Sequence, residues 1–172
     1  SAWTASELAA IGIIEVTFDD SNKKDEQWYI NTNQTFTYDA DAGTVIAAYG
    51  TATAKAHADT LWTAQDETDG KGTEGEVATR GLKYNLIRDL KITVANELSK
   101  TDWYITRNTE KETAIPSAIS THRDAVRTKQ AEMEAAITNA SDTPALETLY
   151  TYTEQDDGSV TRPLGELPTL ES

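Results

Sequence analysis

The chain has 172 residues, 38% of them hydrophobic and 26% charged, with a formal charge of −14 and no cysteine. That length suits one domain or one domain with an extension. Without cysteine there are no disulfides, thiol nucleophiles or thiolate metal sites, and the acidic balance disfavours binding to phosphate backbones, so no nucleic-acid partner is expected. No run approaches the ~18 apolar residues needed to span a bilayer, and no basic-then-apolar leader is present, so neither a membrane span nor secretion is expected. The charge is segregated: residues 1–76 hold fourteen acids against four bases, residues 77–140 eight against ten, and residues 141–172 seven against one.

In chain order, Thr4-Ala5-Ser6-Glu7 is a capping box that opens a short helix Ala5–Ala10, ending at Gly12, with Trp3 as its hydrophobic anchor. Ile13–Phe18 is β-branched and reads as a strand. Asp19–Glu26 is a polar turn, Gln27–Asn31 and Thr35–Tyr38 are two further short strands, and Asp39–Gly43 is a tight turn into Thr44–Tyr49. The expectation for residues 1–50 is a small antiparallel β-meander with an N-terminal helix. Three or four strands do not make an independent barrel, so one face should rest on that helix or on another copy. Residues 51–76 read as an extended arm or a weak helix carrying Leu61 and Trp62, followed by a Gly- and acid-rich linker, Asp66–Gly75.

Residues 77–140 read as an antiparallel helical hairpin. Leu82, Leu86, Leu90, Val94 and Leu98 recur every four residues, which puts them on one helix face. Gly81 weakens the first turn by about 1 kcal/mol relative to Ala. Thr101–Ile105 forms a corner, with Trp103 and Tyr104 folded back as aromatic plugs and Trp103 buried where the helices meet. Pro116 suits the start of the second helix, whose narrow stripe is Ile119, His122, Val126, Met133 and Ile137, with Arg123, Arg127 and Lys129 mostly off it. Residues 141–172 read as a C-terminal tail with a short helix Ala145–Tyr150, a small hairpin turning at Glu154–Gly158, and an extended acidic end from Pro163 to Ser172. There Leu164, Leu167 and Leu170 recur every third residue, and such a segment can dock along a neighbour or equally stay disordered. The fold class is α+β.

No catalytic constellation is visible. His57 and His122 lie in different segments without metal-ligand spacing, and His122 reads as a packing residue. Asp39-x-Asp41-x-Gly43 lacks the closing Glu of a calcium loop. Gly70-x-Gly72-x-x-Gly75 follows no strand and is surrounded by acids, unlike a dinucleotide fingerprint. The chain is therefore read as a non-enzyme without cofactor or metal.

The corner carries a resemblance. A leucine-rich helix, then Thr101-Asp102-Trp103-Tyr104-Ile105-Thr106-Arg107, then Ile115-Pro116, then His122-Arg123-Asp124-Ala125-Val126-Arg127, resembles the tail assembly chaperones and tail-fibre assembly proteins of tailed bacteriophages. His122 and Val126 stand where that pattern has Tyr and Leu. The match spans about residues 77–138. The resemblance implies docking onto phage tail or fibre proteins, or self-assembly into a homo-oligomer or larger particle, in the virion or in the host cytoplasm during assembly. The expected interface residues are Trp62, Trp103, Tyr104, Arg107, Arg123, Arg127, Leu164, Leu167 and Leu170. The alternative reading is a host-surface or carbohydrate-binding module that uses Trp28, Tyr29 and Tyr49 as stacking residues, although neighbouring Trp28 and Tyr29 point to opposite faces of a strand.

Overall fold

Residues 3–170 are described by the structure, a computed structural model, and they mix helices with small sheets in an α+β fold. Two units divide the chain, one running to Lys55 and the other starting at Ala56.

The first unit opens on α1 (Ala5–Ala10). Its capping box is made as the sequence implies: the Thr4 hydroxyl accepts from the Glu7 N–H at 3.3 Å, and the Glu7 carboxylate accepts from the Thr4 N–H at 2.8 Å. Trp3 is not an anchor; it is 62% exposed. The strands are β1 (Val16–Asp19), β2 (Tyr29–Ile30), β3 (Gln34–Asp39), β4 (Thr44–Tyr49) and β5 (Thr53–Ala54). β3 and β4 form the expected hairpin, whose turn is held by the Asp39 carboxylate accepting from the N–H groups of Asp41 and Ala42. The antiparallel meander is corrected. The sheet order is β1-β4-β3, and β1 runs parallel to β4. β2, which a meander would place beside β1, pairs with β5 instead, so the second edge of β4 is left for β1. The Asn31 side chain bridges both backbone groups of Lys24, and the Asn22 amide donates to the Tyr49 carbonyl, which fixes the crossing loop. Among the described residues, Trp28 and Ala47 are the buried apolar side chains of this unit.

The second unit begins with β6 (Thr60–Leu61), α2 (Ala64–Thr68) and β7 (Val77–Thr79), with β6 and β7 paired antiparallel. The stretch read as a linker is structured. Thr63 and Asp66 make a second capping box, and Lys71 pairs with Asp66 and Asp69 at 3.0 and 3.1 Å. The Trp62 indole lies so close to Gly72 that a Cβ there would sit 2.3 Å from the ring nitrogen. α3 (Leu82–Ser99) does not fray at Gly81. The arm before it supplies acceptors for N–H groups that a helix start leaves unpaired: Asp59 takes Gly81 at 2.8 Å, and the carbonyls of Ala56 and His57 take Leu82 and Lys83.

α4 (Asp102–Lys111) occupies what the sequence suggested was only a corner, and α5 (Ser117–Asn139) follows. α3 and α5 pack antiparallel. Lys83 donates to the Thr138 carbonyl at one end, Lys91 pairs with Glu134 along the way, and Arg123 reaches the end of α3 at the other. Leu90 and Val94 meet a stripe of Ile119, Val126, Met133 and Ile137, as the spacing requires. α6 (Thr143–Tyr150) starts on an Asp142 cap with Pro144 in its first turn and buries Leu146. β8 (Thr153–Glu154) and β9 (Val160–Thr161) make the small hairpin.

The reading of the last segment as a free docking arm is corrected. Leu164 is 3% exposed, and its N–H donates to the Leu149 carbonyl. Arg162 lies against the rings of Tyr150 and Tyr152 and pairs with Glu166, which also accepts from the Tyr152 hydroxyl. Gly165 lies against Lys129 of α5, and Pro168–Leu170 share a groove with Ser117–Ala125 farther up that helix. Glu171 and Ser172 of the predicted tail lie outside the described residues.

Candidate interaction surface at the helical corner

α4 is short and presents consecutive rather than periodic bulk. Asp102 sits in its first turn and Lys111 in its last, each with the sign that the helix dipole favours. Glu112 then turns left-handed (φ +54°) and ends it. Trp103 is 50% exposed, which contradicts its expected burial between the long helices. Its ring lies against that of Tyr104, centroids 3.9 Å apart and planes tilted by 32°, and the Arg107 guanidinium lies 5.5 Å from the indole centroid. Ile105 is exposed beside them. Trp, Tyr and Arg are the residue types that dominate binding energy at protein interfaces, and here three of them are presented together on one short helix.

The residue buried in Trp103's place is Thr101, 2% exposed, and beside it Arg123, 8% exposed. Arg123 Nη1 donates to the Leu98 carbonyl and to the Thr101 hydroxyl, both at 2.7 Å, and pairs with Asp102 at 2.9 Å. The Thr101 hydroxyl in turn donates to Leu98 O at 3.0 Å. One guanidinium thus closes the C-terminus of α3, where a cation is favoured, and pins the start of α4. At the neighbouring position His122 is buried with Nε2 3.4 Å from Glu97 Oε1, without hydrogen-bond alignment. Lys100, hydrogen-bonded to Glu97, holds that carboxyl below its usual range.

The predicted interface residues therefore separate. Trp103, Tyr104 and Arg107 come together at the surface. Arg123 belongs beneath them as support. Arg127 is an exposed side chain paired with Asp124. Trp62 is half-buried on Gly72, Leu164 is core, Leu167 is half-buried and Leu170 is exposed. Trp28, the proposed sugar-stacking residue, is 3% exposed and offers no face. Thr101, Asp102 and Glu97 were missed as supports of the corner. The one signal for them was Arg123 standing four residues after Ile119 and three before Val126, a spacing that shares their helix face.

Fold and surface define an α+β chain whose most organised polar arrangement holds an exposed aromatic helix in place. Among the described residues no cluster of three or more His, Asp or Glu is arranged to hold a metal ion, and no helix is long and apolar enough to cross a membrane. Comparison with protein-family models, with curated proteins and with solved structures returned no match.

Proposed function

We propose that the protein acts by docking in the tail of a tailed bacteriophage, as a tail or fibre component or as an assembly factor for one, and that α4 is its docking element. The observation that carries this reading is the array of half-exposed Trp103, half-buried Tyr104 and exposed Arg107 on a helix whose start is held by the buried Arg123 clamp. A rigid, half-exposed Trp loses little conformational freedom on binding, which is how such anchors contribute affinity. The phage context rests on the resemblance of the Thr101-Asp102-Trp103 corner and its flanking helices to tail assembly proteins. The test is proteomic and genetic. Purified particles of a phage carrying this chain should contain its peptides in stoichiometric amount if it stays on the particle. If it is a chaperone, the chain should instead co-purify with tail proteins from infected cells. Trp103→Ala should abolish that association while leaving the fold intact. A chain found with tail proteins in neither sample, or a Trp103→Ala variant that associates normally, refutes the reading.

A further inference from the structure

We propose that the β1–β4–β3 sheet is a self-association surface, stacking face to face on the same sheet of a second copy of this chain. Residues paired across strands point to the same side of a sheet. The register Val16–Val45–Tyr38, Phe18–Ala47–Phe36 and Tyr49–Gln34 therefore gathers Val16, Phe18, Phe36, Tyr38 and Tyr49 on one face. Phe18 is 70% exposed, Phe36 65%, Tyr38 57% and Val16 40%. A sheet ordinarily buries its apolar face against a second layer, and among the described residues this unit keeps only Trp28 and Ala47 as buried apolar side chains.

The occupant follows from charge and area. None of the eight side chains on this face is charged, so a second copy meets no like-charge repulsion there despite the acidity of the chain. A basic partner, which that acidity would otherwise favour, would find no carboxylate on the face. The two ends of the sheet differ. The β3–β4 turn carries Asp41, whereas at the far end the loop that holds Asp20, Lys23, Lys24, Asp25 and Glu26 sets Lys23 on this face, 5.6 Å from the centroid of the Tyr49 ring. Asp19 at the far end and Asp39 at the turn pair with Ala48 and Thr44 and so point to the opposite face. Stacking about a twofold axis with strands antiparallel brings each Lys23 toward the partner copy's turn; a parallel stack would set like charges together. The arrangement is isologous, as twofold interfaces are. At roughly 200 Å² per fully exposed aromatic side chain, the four most exposed residues offer about 450 Å² per copy. With the half-buried Val45, Tyr49 and Gln34, two copies remove about 1,000 Å² from water, the size at which a specific interface begins.

Sedimentation equilibrium of the full chain over a wide concentration range tests this. The expected result is a reversible dimer. Phe18→Ser/Phe36→Ser should weaken it at least 100-fold, with the helical circular dichroism of the second unit unchanged, while Phe36→Leu keeps it. Lys23→Glu should weaken the dimer several-fold, and adding Asp41→Lys should restore it, a rescue that a merely destabilised sheet would not give. A chain that stays monomeric throughout, a serine variant that still pairs, or a charge swap no better than Lys23→Glu alone overturns the proposal.

Discussion

Removing the Arg123 guanidinium is the most informative perturbation of the second unit. Arg123→Ala deletes two charge-assisted hydrogen bonds at 2.7 Å to buried or part-buried acceptors, Leu98 O and Thr101 Oγ1. Leu98 O keeps the N–H and hydroxyl of Thr101, so it is not orphaned, and each lost bond is worth about 1–1.5 kcal/mol. The cation at the C-terminus of α3 adds roughly 0.5–1 kcal/mol. The Asp102 carboxylate is 59% exposed, so after screening its ion pair adds little beyond this. The expected loss is therefore about 3 kcal/mol, read from urea unfolding followed by circular dichroism. Arg123→Lys keeps the charge without the fork and should lose about half as much. In a double-mutant cycle Arg123→Ala and Thr101→Val should couple by ~1 kcal/mol or more, since they share a hydrogen bond. A loss under 1 kcal/mol for Arg123→Ala would mean that the corner is held by apolar contacts alone.

Trp103→Ala should cost about 1–2.5 kcal/mol in the same melt, because half of the side chain is already in water; a loss above ~4 kcal/mol would put Trp103 in the core after all. Leu164→Ala should cost about 2–4 kcal/mol, and deletion from Pro163 onward at least as much, so a truncated chain that melts like the full one refutes the packing of that segment. Asp66 is held down to about 2 by hydrogen bonds from the Thr63 hydroxyl and Lys71. Its folded value lies below the unfolded one, so its contribution is full above about pH 4 and is lost as the pH falls through about 2. A carbon-detected NMR titration should show its midpoint well below that of ordinary aspartates, and Thr63→Val should raise it; a normal midpoint refutes the second capping box.

The features legible in the sequence were local ones. Thr4 and Glu7 sit three apart and cap α1, Asp39–Gly43 turns the hairpin, and the stripes through Leu90 and Ile137 place the long helices. α4 escaped because Trp103, Tyr104 and Ile105 are adjacent, which gives no helical period, and because an aromatic run after a helix end reads as a plug. α2 escaped because acids and glycines dominate Asp66–Gly75, although Thr63-Ala64-Gln65-Asp66 carried a capping signal. The parallel pairing of β1 has no local signature, since it depends on which strand β2 leaves unpaired. The surface reading of Arg123 failed because its burial is set by the end of another helix, whose carbonyls repay desolvation of the guanidinium. Of the candidate surface, the sequence located Trp103, Tyr104 and Arg107 but could not say which side of the corner faces water.

Leu164 closes the flank of a helical pair that ends at Asn139, and this orders events during synthesis. The hairpin can form as it leaves the ribosome, but α6 is complete only about 11 residues later and the strap around Leu164 that lies on α5 about 25 residues later, seconds at ~5–20 residues per second. In that interval the apolar sites that Leu146 and Leu164 will fill stand open to whatever is nearby. Translation speed across residues 140–164, and any fusion that tethers or delays the strap, therefore bears on how much newly made chain reaches its finished state rather than being captured part-way.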